Sequence, residues 1–293
     1  MQHLQFVTDY KKEDQLRTSF FALAADTFGL ELESWYQEGF WDGRYIPFSY
    51  ADGDRIVANV SVNLLDLVID GNTVQAIQLG TVMTHPDYRR QGLSAALMEK
   101  VMTVYGSSCE LMYLFANESV LDFYPRFGFQ PAGERCFTAQ YPSSLPAAQQ
   151  AVIRKLNVSR REDLAFIHSF AGQRLPVSQR FGTAGAPGLL MFYCLNVFGE
   201  DLYYLEEDEV IAICRQEGQE LQLFDVISRG EPDIHSILSK LADSGTTQIV
   251  FHYTPDYSGL EMSSTPYDSG LFVKIGMGFS FAGNMKHPAT SIA

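Results

Sequence analysis

The sequence contains little cysteine, and its four cysteines are widely spaced. They lie at Cys109, Cys136, Cys194 and Cys214. None has a second cysteine or a histidine at the spacing that a zinc site requires. We therefore predict reduced thiols and no metal site.

Long apolar runs are also missing. No segment has enough consecutive apolar residues to cross a bilayer. The polar start at Met1 does not have the pattern of a signal peptide. These features predict a cytoplasmic protein without a membrane partner.

Positive charge is scarce. The chain has 21 lysines and arginines against 35 aspartates and glutamates, which gives a formal net charge of -14 at pH 7. A nucleic acid needs a basic face, so the charge argues against nucleic acid as the main partner. An acidic surface suits a small cationic amine or a lysine substrate, although many acidic surfaces serve only solubility.

The length and apolar content of the chain predict two domains. It has 293 residues, of which 46% are hydrophobic, enough for two buried cores. From Tyr141 the composition changes to proline, serine and alanine, as is typical of a linker. We predict a first domain at residues 1–142, a linker at 143–151 and a second domain at 152–293.

The most informative stretch is residues 79–100. An apolar run predicts a strand, which Pro86 ends because proline cannot donate to a strand ladder. A basic, glycine-containing turn follows, and then apolar residues at helical spacing. A strand, a tight turn and a helix N-terminus bring several backbone N–H groups together, and such a site can hold a phosphate or pyrophosphate. Gly92 would let the ligand approach the backbone, and Arg89 and Arg90 would add positive charge.

This stretch resembles the acetyl-CoA signature of the GCN5-related N-acetyltransferases (GNAT family). The signature is valine-x-x-x-proline-x-x-arginine-x-x-glycine-x-glycine/alanine, and Val82, Pro86, Arg89 and Gly92 match it. Ser94 replaces the last small residue and could crowd the pyrophosphate. The resemblance implies that acetyl-CoA binds with its pantetheine arm beside residues 82–84. The cofactor-binding residues implied are Val82, Met83, Thr84, Arg89, Arg90, Gln91, Gly92, Leu93, Ser94 and Asn117.

A second string resembles the other motif of the family, asparagine-x-x-alanine-x-x-leucine-tyrosine-x-x-x-glycine-phenylalanine. Asn117, Tyr124, Gly128 and Phe129 match it. The resemblance implies that Tyr124 is the catalytic proton donor to the departing thiolate. A tyrosine has a pKa of about 10 and stays protonated at neutral pH, so it can supply that proton. The alternative is that Tyr124 is only a core aromatic residue at a helix end.

The fold class predicted for the first half is α/β (α+β), with a mixed, largely antiparallel sheet flanked by helices. Turn residues separate several apolar runs, as in an antiparallel meander that leads into the strand before the basic turn. We predict strands at residues 4–7, 45–50, 55–69, 73–84 and 110–115, and a helix at 13–29.

An aromatic and acidic segment follows the first predicted helix. It contains Glu33, Trp35, Tyr36, Glu38, Trp41 and Asp42. These residues could line a slot for a cationic amine, with ring faces and carboxylates acting together. Alternatively, the aromatic residues pack a short helix onto the sheet, and the two interpretations are compatible.

The sequence does not identify the group that removes the amine proton. Candidates are Glu33, Glu38, Asp42 and Asp66, or a chain of waters. In the enhanced-intracellular-survival branch of the family the terminal carboxylate enters the active site, and in this sequence that group belongs to Ala293.

The second half contains an echo of the first. Residues 219–227 resemble residues 75–83, and both are followed by a predicted helix and strand. The second turn carries Glu231 and Asp233 in place of the basic motif, so like charge should reject a phosphate. We predict a degenerate GNAT-like domain that covers the substrate side or mediates homodimerisation. We also predict a flexible loop at 181–188, a helix at 161–171, and strands at 152–156, 189–198, 202–205, 209–215 and 220–227.

Two classes of function fit this sequence. The first is an acetyl-CoA-dependent N-acetyltransferase that moves an acetyl group to a primary amine by direct attack on the thioester. The second is a catalytically inactive acyl-CoA-binding regulatory protein, which is favoured if Tyr124 is buried away from the cleft.

Overall fold

The computed structural model describes residues 3–141 and 152–293. The helices are α1 (Asp14–Phe28), α2 (Glu33–Gln37), α3 (Leu93–Tyr105), α4 (Arg161–Ala171), α5 (Pro187–Asn196) and α6 (Ile234–Leu241). The strands of the first half are β1 (Gln5–Thr8), β2 (Tyr45–Asp52), β3 (Arg55–Ile69), β4 (Asn72–Thr84), β5 (Leu111–Phe115), β6 (Gln130–Pro131) and β7 (Glu134–Gln140). Those of the second half are β8 (Ile153–Lys155), β9 (Phe181–Ala184), β10 (Leu202–Leu205), β11 (Val210–Glu217), β12 (Glu220–Ser228), β13 (Gln248–Phe251), β14 (Met262–Tyr267) and β15 (Leu271–Ile275).

The first sheet has the order β1-β2-β3-β4-β5-β15-β6, and β9 pairs with the far end of β3. Its neighbours are antiparallel except β4 and β5, which run parallel and are joined through α3. The β3–β4 hairpin turns at Asp70 and Gly71, both with positive φ (47° and 77°), as a two-residue hairpin turn requires. The predicted α/β class, with a largely antiparallel sheet flanked by helices, is confirmed.

The second sheet repeats the central arrangement of the first. Its order is β14-β7-β13-β12-β11-β10-β8. Strands β11 and β12 are antiparallel, and β12 runs parallel to β13 after the crossover helix α6. The sequence echo therefore corresponds to the same strand-helix-strand unit in each half.

The two halves exchange a strand. Strand β7 comes from the first half but lies beside β13 in the second sheet. Strand β15 comes from the second half but lies beside β5 in the first sheet. Each exchanged strand is antiparallel to the second strand of a parallel pair, so the two positions are equivalent. The sheets therefore do not divide the chain at the predicted linker; the linker itself falls among residues 142–151, which lie outside the described residues, and the domain boundaries stay a prediction.

Two predictions for the second half are wrong. The strand predicted at residues 189–198 is helix α5, whose buried side chains include Leu190, Met191 and Cys194 at helical spacing. A continuous apolar run gives no period that separates strand from helix, and Pro187 at the first helical turn was the signal for a helix. The loop predicted at residues 181–188 contains β9, which extends β3 through a four-residue antiparallel register from Asp66 to Ile69.

One hydrophobic core is shared by both halves. It contains Phe20 and Trp41 from the first half together with Ile167 and Ile211 from the second. The indole Nε1 of Trp35 donates a hydrogen bond of 2.7 Å to the carbonyl oxygen of Gly188. Helices α2 and α5 are thereby fixed against each other, and this pair of helices forms a wall of the candidate site. None of the helices in the described ranges is both long and apolar enough to span a bilayer.

Candidate active site

Strands β4 and β5 separate at the point where the basic turn begins. Their parallel pairing ends at Leu79 and Leu114, whereas β4 continues to Thr84. Residues 80–84 therefore have no β5 partner within the described part of the chain. A cleft of about 650 Å³ opens there, and its wall includes Val82, Met83 and Thr84. Backbone groups on an open strand edge can pair with an extended ligand.

The turn after β4 places a helix N-terminus at the end of this cleft. Arg90 and Gly92 have positive φ (62° and 77°), which reverses the chain so that α3 begins at Leu93. Gly92 is the N-cap of α3 and, unlike a side-chain cap, leaves the first N–H groups of the helix free. Arg89 and Arg90 are exposed at the rim. Free N–H groups at a helix N-terminus together with two guanidinium groups suit a pyrophosphate.

The remaining residues of the predicted phosphate loop have distinct places. The side chain of Leu93 is buried in the core beneath α3, so only its backbone can face a ligand. Gln91 Nε2 lies 3.4 Å from the carbonyl oxygen of Asp87. Ser94 lines the cleft, and its hydroxyl forms a 2.8 Å hydrogen bond with the hydroxyl of Thr84. The serine that departs from the family signature is thus held against β4.

Tyr124 lies where the cofactor cleft meets a second cavity. Its ring packs edge-on against Phe129 and tilted against Phe272 of β15, so the exchanged strand helps to hold it. Its side chain is only 4% exposed, and burial raises the pKa of its hydroxyl to about 12. No hydrogen-bond partner for this hydroxyl occurs among residues 3–141 and 152–293. Asn117, which caps the short 3₁₀ turn at residues 118–120, also lines both cavities.

The second cavity has a volume of about 340 Å³ and is lined by residues 79–82 of β4. It shares Phe28, Val82, Asn117, Val120 and Tyr124 with the cofactor cleft. The two spaces therefore meet beside Val82 and Tyr124, and we call the second one the acceptor cavity. Its other lining residues are Leu30, Leu32, Trp35, Tyr45, Leu79, Gly80, Thr81, Phe115, Leu189, Phe192, Tyr193, Ile292 and Ala293.

The aromatic residues predicted to form an amine slot are divided by the structure. Trp35 lines the acceptor cavity, and Trp41 stacks on it with ring centroids 5.8 Å apart. The Trp41 indole donates 2.8 Å to the carbonyl oxygen of Tyr45, so Trp41 supports the wall from behind. Tyr36 lies under the Arg17 guanidinium, 4.0 Å from its ring centroid, and does not line the cavity.

The acids predicted for the same slot do not line the acceptor cavity. Glu33 and Glu38 are exposed on the outside of α2. Asp42 accepts a hydrogen bond of 2.7 Å from the backbone N–H of Arg44. Asp66 forms a 2.9 Å ion pair with the Arg44 guanidinium. A role for these four carboxylates in binding or deprotonating the amine therefore has no geometric support.

Ala293 lies in the acceptor cavity, against β4. A Cβ atom added to Gly80 would be 2.6 Å from both the carbonyl carbon and the carbonyl oxygen of Ala293. The Tyr193 hydroxyl of α5 donates 2.6 Å to the carbonyl oxygen of Ile292, and the buried hydroxyl of Thr290 donates to Asp225. The glycine makes room for this tail, and both halves of the chain hold it.

A buried polar cluster supports the β4 wall, and sequence reasoning missed it. The β3–β4 register shifts between Asn59 and Ser61, and the bulged residue Thr81 has φ of 42°, which is rare for a β-branched residue. Asn59 Nδ2 donates 2.9 Å to the carbonyl oxygen of Thr81. The Thr81 hydroxyl lies 2.6 Å from the Ser61 hydroxyl and 2.8 Å from the hydroxyl of Tyr45. These bonds hold the bulge next to Val82, the β4 residue that lines both cavities.

The cluster continues away from the site. The Ser49 hydroxyl donates 2.7 Å to Asn59 Oδ1, and the Tyr10 hydroxyl lies 2.7 Å from that of Ser49. Asn59 and Ser49 are completely buried, and Tyr10 nearly so. Burial raises the pKa of Tyr10, so this chain of groups stays neutral near physiological pH. A sequence signal existed in the alternating string Asn59-Val60-Ser61-Val62-Asn63, but such a pattern usually indicates a solvent-facing strand.

The equivalent helix in the second half has an occupied N-terminus. Asp233 caps α6 and accepts hydrogen bonds from the backbone N–H groups of His235 and Ser236, at 3.0 and 3.2 Å. A cavity of about 520 Å³ lies there, lined by Glu231, Asp233 and Asp256. The Asp233 carboxylate therefore binds the N-terminal N–H groups of α6, whereas the corresponding N–H groups of α3 have no side-chain cap. In the described residues, no three histidine, cysteine, aspartate or glutamate side chains come close enough to hold a metal ion.

An open β4 edge, a basic turn at a helix N-terminus and an adjoining acceptor cavity are features that suit the binding of a CoA thioester next to an acceptor. Residues 13–132 match the acetyltransferase (GNAT) domain family. This matched segment, which is less than half of the chain, is therefore a GNAT acetyltransferase domain, and members of that family transfer acetyl groups from acetyl-CoA. No curated protein matches the chain by sequence.

Several solved structures share the fold across both halves. A conserved protein of unknown function from Enterococcus faecalis V583, described as a probable N-acyltransferase, is 14% identical with a TM-score of 0.61, covering 93% of this chain and 72% of its own. A GCN5-related N-acetyltransferase from Kribbella flavida is 15% identical with a TM-score of 0.58, covering 93% and 71%. Eis1 from Mycobacterium abscessus is 13% identical with a TM-score of 0.56, covering 93% and 73%. The likeness extends over the strand-exchanged second half as well as the GNAT domain.

Proposed function

We propose that this protein is an acetyl-CoA-dependent N-acetyltransferase that moves the acetyl group to a primary amine by direct attack on the thioester. The observation that carries this proposal is the meeting of the cofactor cleft and the acceptor cavity beside Val82 and Tyr124. A thioester lying along β4 would present its carbonyl carbon at this junction, where an amine can reach it from the acceptor cavity.

The cofactor would be held mainly by backbone groups. Its pantetheine arm would pair with the open edge at residues 82–84. Its pyrophosphate would accept hydrogen bonds from the N–H groups of residues 90–94, with Arg89 and Arg90 adding charge. Leu93 would contribute its N–H alone, and Asn117 would contact the acyl end from the opposite wall.

The reaction needs one proton removed from the amine and one supplied to sulfur. The amine nitrogen forms a bond to the carbonyl carbon, the carbon–sulfur bond breaks, and Tyr124 donates its proton to the departing thiolate. The raised pKa of Tyr124 keeps its hydroxyl protonated. The same burial would disfavour the CoA thiolate, so the pKa of the CoA thiol would be raised as well. Holding both reactants at the junction supplies much of the rate, which can be worth roughly 7 kcal/mol or more.

Ala293 is the best placed of the residues proposed to receive the amine proton. Its carbonyl carbon and oxygen lie against Gly80 in the acceptor cavity, whereas the four acidic side chains considered lie elsewhere. That group is a carboxylate only in a protein whose last residue is Ala293, and the proposal applies to that form. It would pair with the ammonium form of the substrate and take its proton directly or through water.

The second half would position and cover the site rather than bind a second cofactor. It supplies α5 and the tail to the acceptor cavity and β15 to the packing of Tyr124. Its own helix N-terminus is capped by Asp233. The alternative of an inactive acyl-CoA-binding protein has no observation in its favour, because Tyr124 lines both cavities.

A direct test combines calorimetry with a thiol-release assay on the intact chain. We expect acetyl-CoA to bind, and a panel of primary amines to stimulate release of free CoA with formation of the acetylated amine by mass spectrometry. Binding without turnover across polyamines, aminoglycosides, amino acids, lysine peptides and hydrophobic amines would support the inactive alternative instead.

A further inference from the structure

The acceptor cavity has no charged side chain among its described lining residues. This contrasts with the formal charge of -14 on the whole chain. The acids nearest in sequence to Trp35, namely Glu33 and Glu38, point outward and are exposed. The net charge of the protein therefore says little about what this cavity recognises.

Most polar groups in the wall are already engaged with the protein itself. The Thr81 and Tyr45 hydroxyls bond each other at 2.8 Å, and Tyr193 donates 2.6 Å to the carbonyl oxygen of Ile292. Tyr124 and Asn117 line the junction with the cofactor cleft, and the backbone of Ala293 lies against Gly80, two residues along β4 from the shared residue Val82. A ligand can therefore satisfy polar atoms at one end only.

The rest of the wall is aromatic and aliphatic. Phe192 of α5 meets Trp35 edge to face, with ring centroids 6.1 Å apart, and Tyr45 meets Trp35 in a T-shaped contact at 5.5 Å. Leu30, Leu32 and Leu189 complete the apolar side. Such a surface favours burial of a hydrocarbon or aromatic group and disfavours a second ammonium, which would lose its hydration without gaining a counter-charge.

We infer that the acceptor is a primary amine carried on one compact hydrophobic body, preferably an aromatic ring, and not a polyamine, an aminoglycoside or a protein lysine. The inference rests on the proposed acetyl transfer and narrows its substrate class. The amine nitrogen lies at the junction beside Tyr124 and Ala293, and the ring occupies the space beside Trp35 and Phe192. The volume of about 340 Å³ accommodates one such body and is too small to enclose an aminoglycoside of several sugar rings.

The first experiment compares kcat/KM for 2-phenylethylamine, a series of linear alkylamines, spermidine, kanamycin and a lysine peptide, with acetyl-CoA fixed. We expect each added methylene to raise kcat/KM roughly fourfold until the cavity is filled. Spermidine and kanamycin should be acetylated at least about tenfold less efficiently than 2-phenylethylamine. A preference for spermidine, kanamycin or the peptide would overturn the inference while leaving acetyl transfer intact, whereas no turnover with any amine would overturn the proposed function.

A second arm tests whether the cavity instead holds a long acyl chain. Hexanoyl-CoA is compared with acetyl-CoA at fixed 2-phenylethylamine. Both groups cannot occupy the same volume, so hexanoyl transfer should be slower. Faster hexanoyl transfer would overturn the inference.

A variant in the wall links the preference to this cavity. Phe192→Ala should lower kcat/KM for 2-phenylethylamine about tenfold or more, and Phe192→Leu should restore part of it. Affinity for acetyl-CoA should stay unchanged in both, which also shows that they fold. Val197→Ala, at the exposed end of α5, is the matched control. Unchanged amine kinetics in Phe192→Ala would contradict the inference.

Discussion

The backbone end of Ala293 occupies the space that a side chain at position 80 would need. A Cβ atom on Gly80 would be 2.6 Å from the Ala293 carbonyl carbon, well inside any van der Waals contact. Strand β4 and the tail can therefore pack this closely only because residue 80 has no Cβ atom. The whole second half of the sequence lies between them.

Gly80→Ala should displace the tail without disturbing the cofactor cleft, which lies beyond Val82. We expect kcat to fall roughly 10- to 100-fold, because small misplacements at a reaction centre are costly. The affinity for acetyl-CoA should stay near that of the unchanged protein. Steady-state kinetics and calorimetry measure the two effects.

Gly43→Ala is the control for this change, since a Cβ atom there meets nothing within 4 Å and its φ is not positive. Removal of Ala293 alone should reproduce the kinetic effect of Gly80→Ala. This shorter truncation is preferable to removal of residues 290–293, because Thr290 is buried and bonded to Asp225. Full turnover in both Gly80→Ala and the truncation would mean that the tail has no part in the reaction.

Gly92→Val should abolish measurable acetyl-CoA binding. Gly92 has φ of 77°, where a β-branched residue is strained by roughly 1–2 kcal/mol. The added side chain would also stand over the free N–H groups of α3. Gly71→Val, at the same φ in the β3–β4 hairpin, imposes the same backbone strain away from the cleft and should keep affinity. Equal affinities in the two variants would show that the turn does not hold the cofactor.

Tyr124→Phe should lower kcat roughly 100-fold with little effect on acetyl-CoA affinity, because only a proton donor is removed. With the pKa of Tyr124 near 12, its ionisation should cause no fall in rate below about pH 11, within the range in which the protein stays folded. Tyr105→Phe, whose ring packs on Phe48 away from both cavities, is the control. A Tyr124→Phe variant with full kcat at every pH would assign the proton to water or another group.

The strand-turn-helix unit was predictable because its signals are local. Pro86 and Gly92 act on their own neighbourhood, and the spacing of the apolar residues after them fixes the helix face. The position of Tyr124 came from the second family motif and not from periodicity, and it is the packing against Phe272 that places it at the junction.

The exchange of β7 and β15 could not be predicted, because pairing between segments more than a hundred residues apart leaves no local pattern. The prediction that acidic side chains line the amine slot has no support in the structure, for a different reason. Glu33 lies in the same short helix as Trp35 and Glu38 is the C-cap of that helix, and in a helix of five residues only one face can turn inward. Packing of the apolar face selected Trp35 and left the acids in solvent.

The buried cluster around Asn59 should be needed for both stability and rate. Asn59→Ala removes the donor to the Thr81 carbonyl oxygen and the acceptor for Ser49, so it should cost roughly 2–3 kcal/mol of unfolding free energy. Because the bulge at Thr81 loosens, kcat should fall more than acetyl-CoA affinity. Ser49→Ala, one bond further from the bulge, should destabilise the fold while changing kcat less. Equal kinetic effects of the two variants would contradict a specific role for Asn59 at the bulge.

His287 should make the fold sensitive to acid. Its Nδ1–H donates 3.0 Å to the carbonyl oxygen of Pro288, so Nε2 is left to accept the 2.9 Å hydrogen bond from the Tyr113 hydroxyl. This arrangement is that of a neutral ring, and burial lowers the pKa of His287 from 6.5 to about 3. In the unfolded chain the ring regains its usual pKa and takes up a proton as the pH falls below about 6.5.

The stability that His287 contributes is therefore complete above about pH 6.5 and is lost progressively as the pH falls from there towards 3. His287→Gln cannot ionise, so its unfolding free energy should change less between pH 7 and pH 5 than that of the unchanged protein. Urea denaturation at the two pH values measures the difference, and His235→Gln on the exposed face of α6 is the control. Because His287 lies three residues before Thr290 in the anchored tail, the acid-treated protein should also lose turnover in parallel with its stability. The same pH dependence in His287→Gln and in the unchanged protein would show that other groups determine the acid sensitivity.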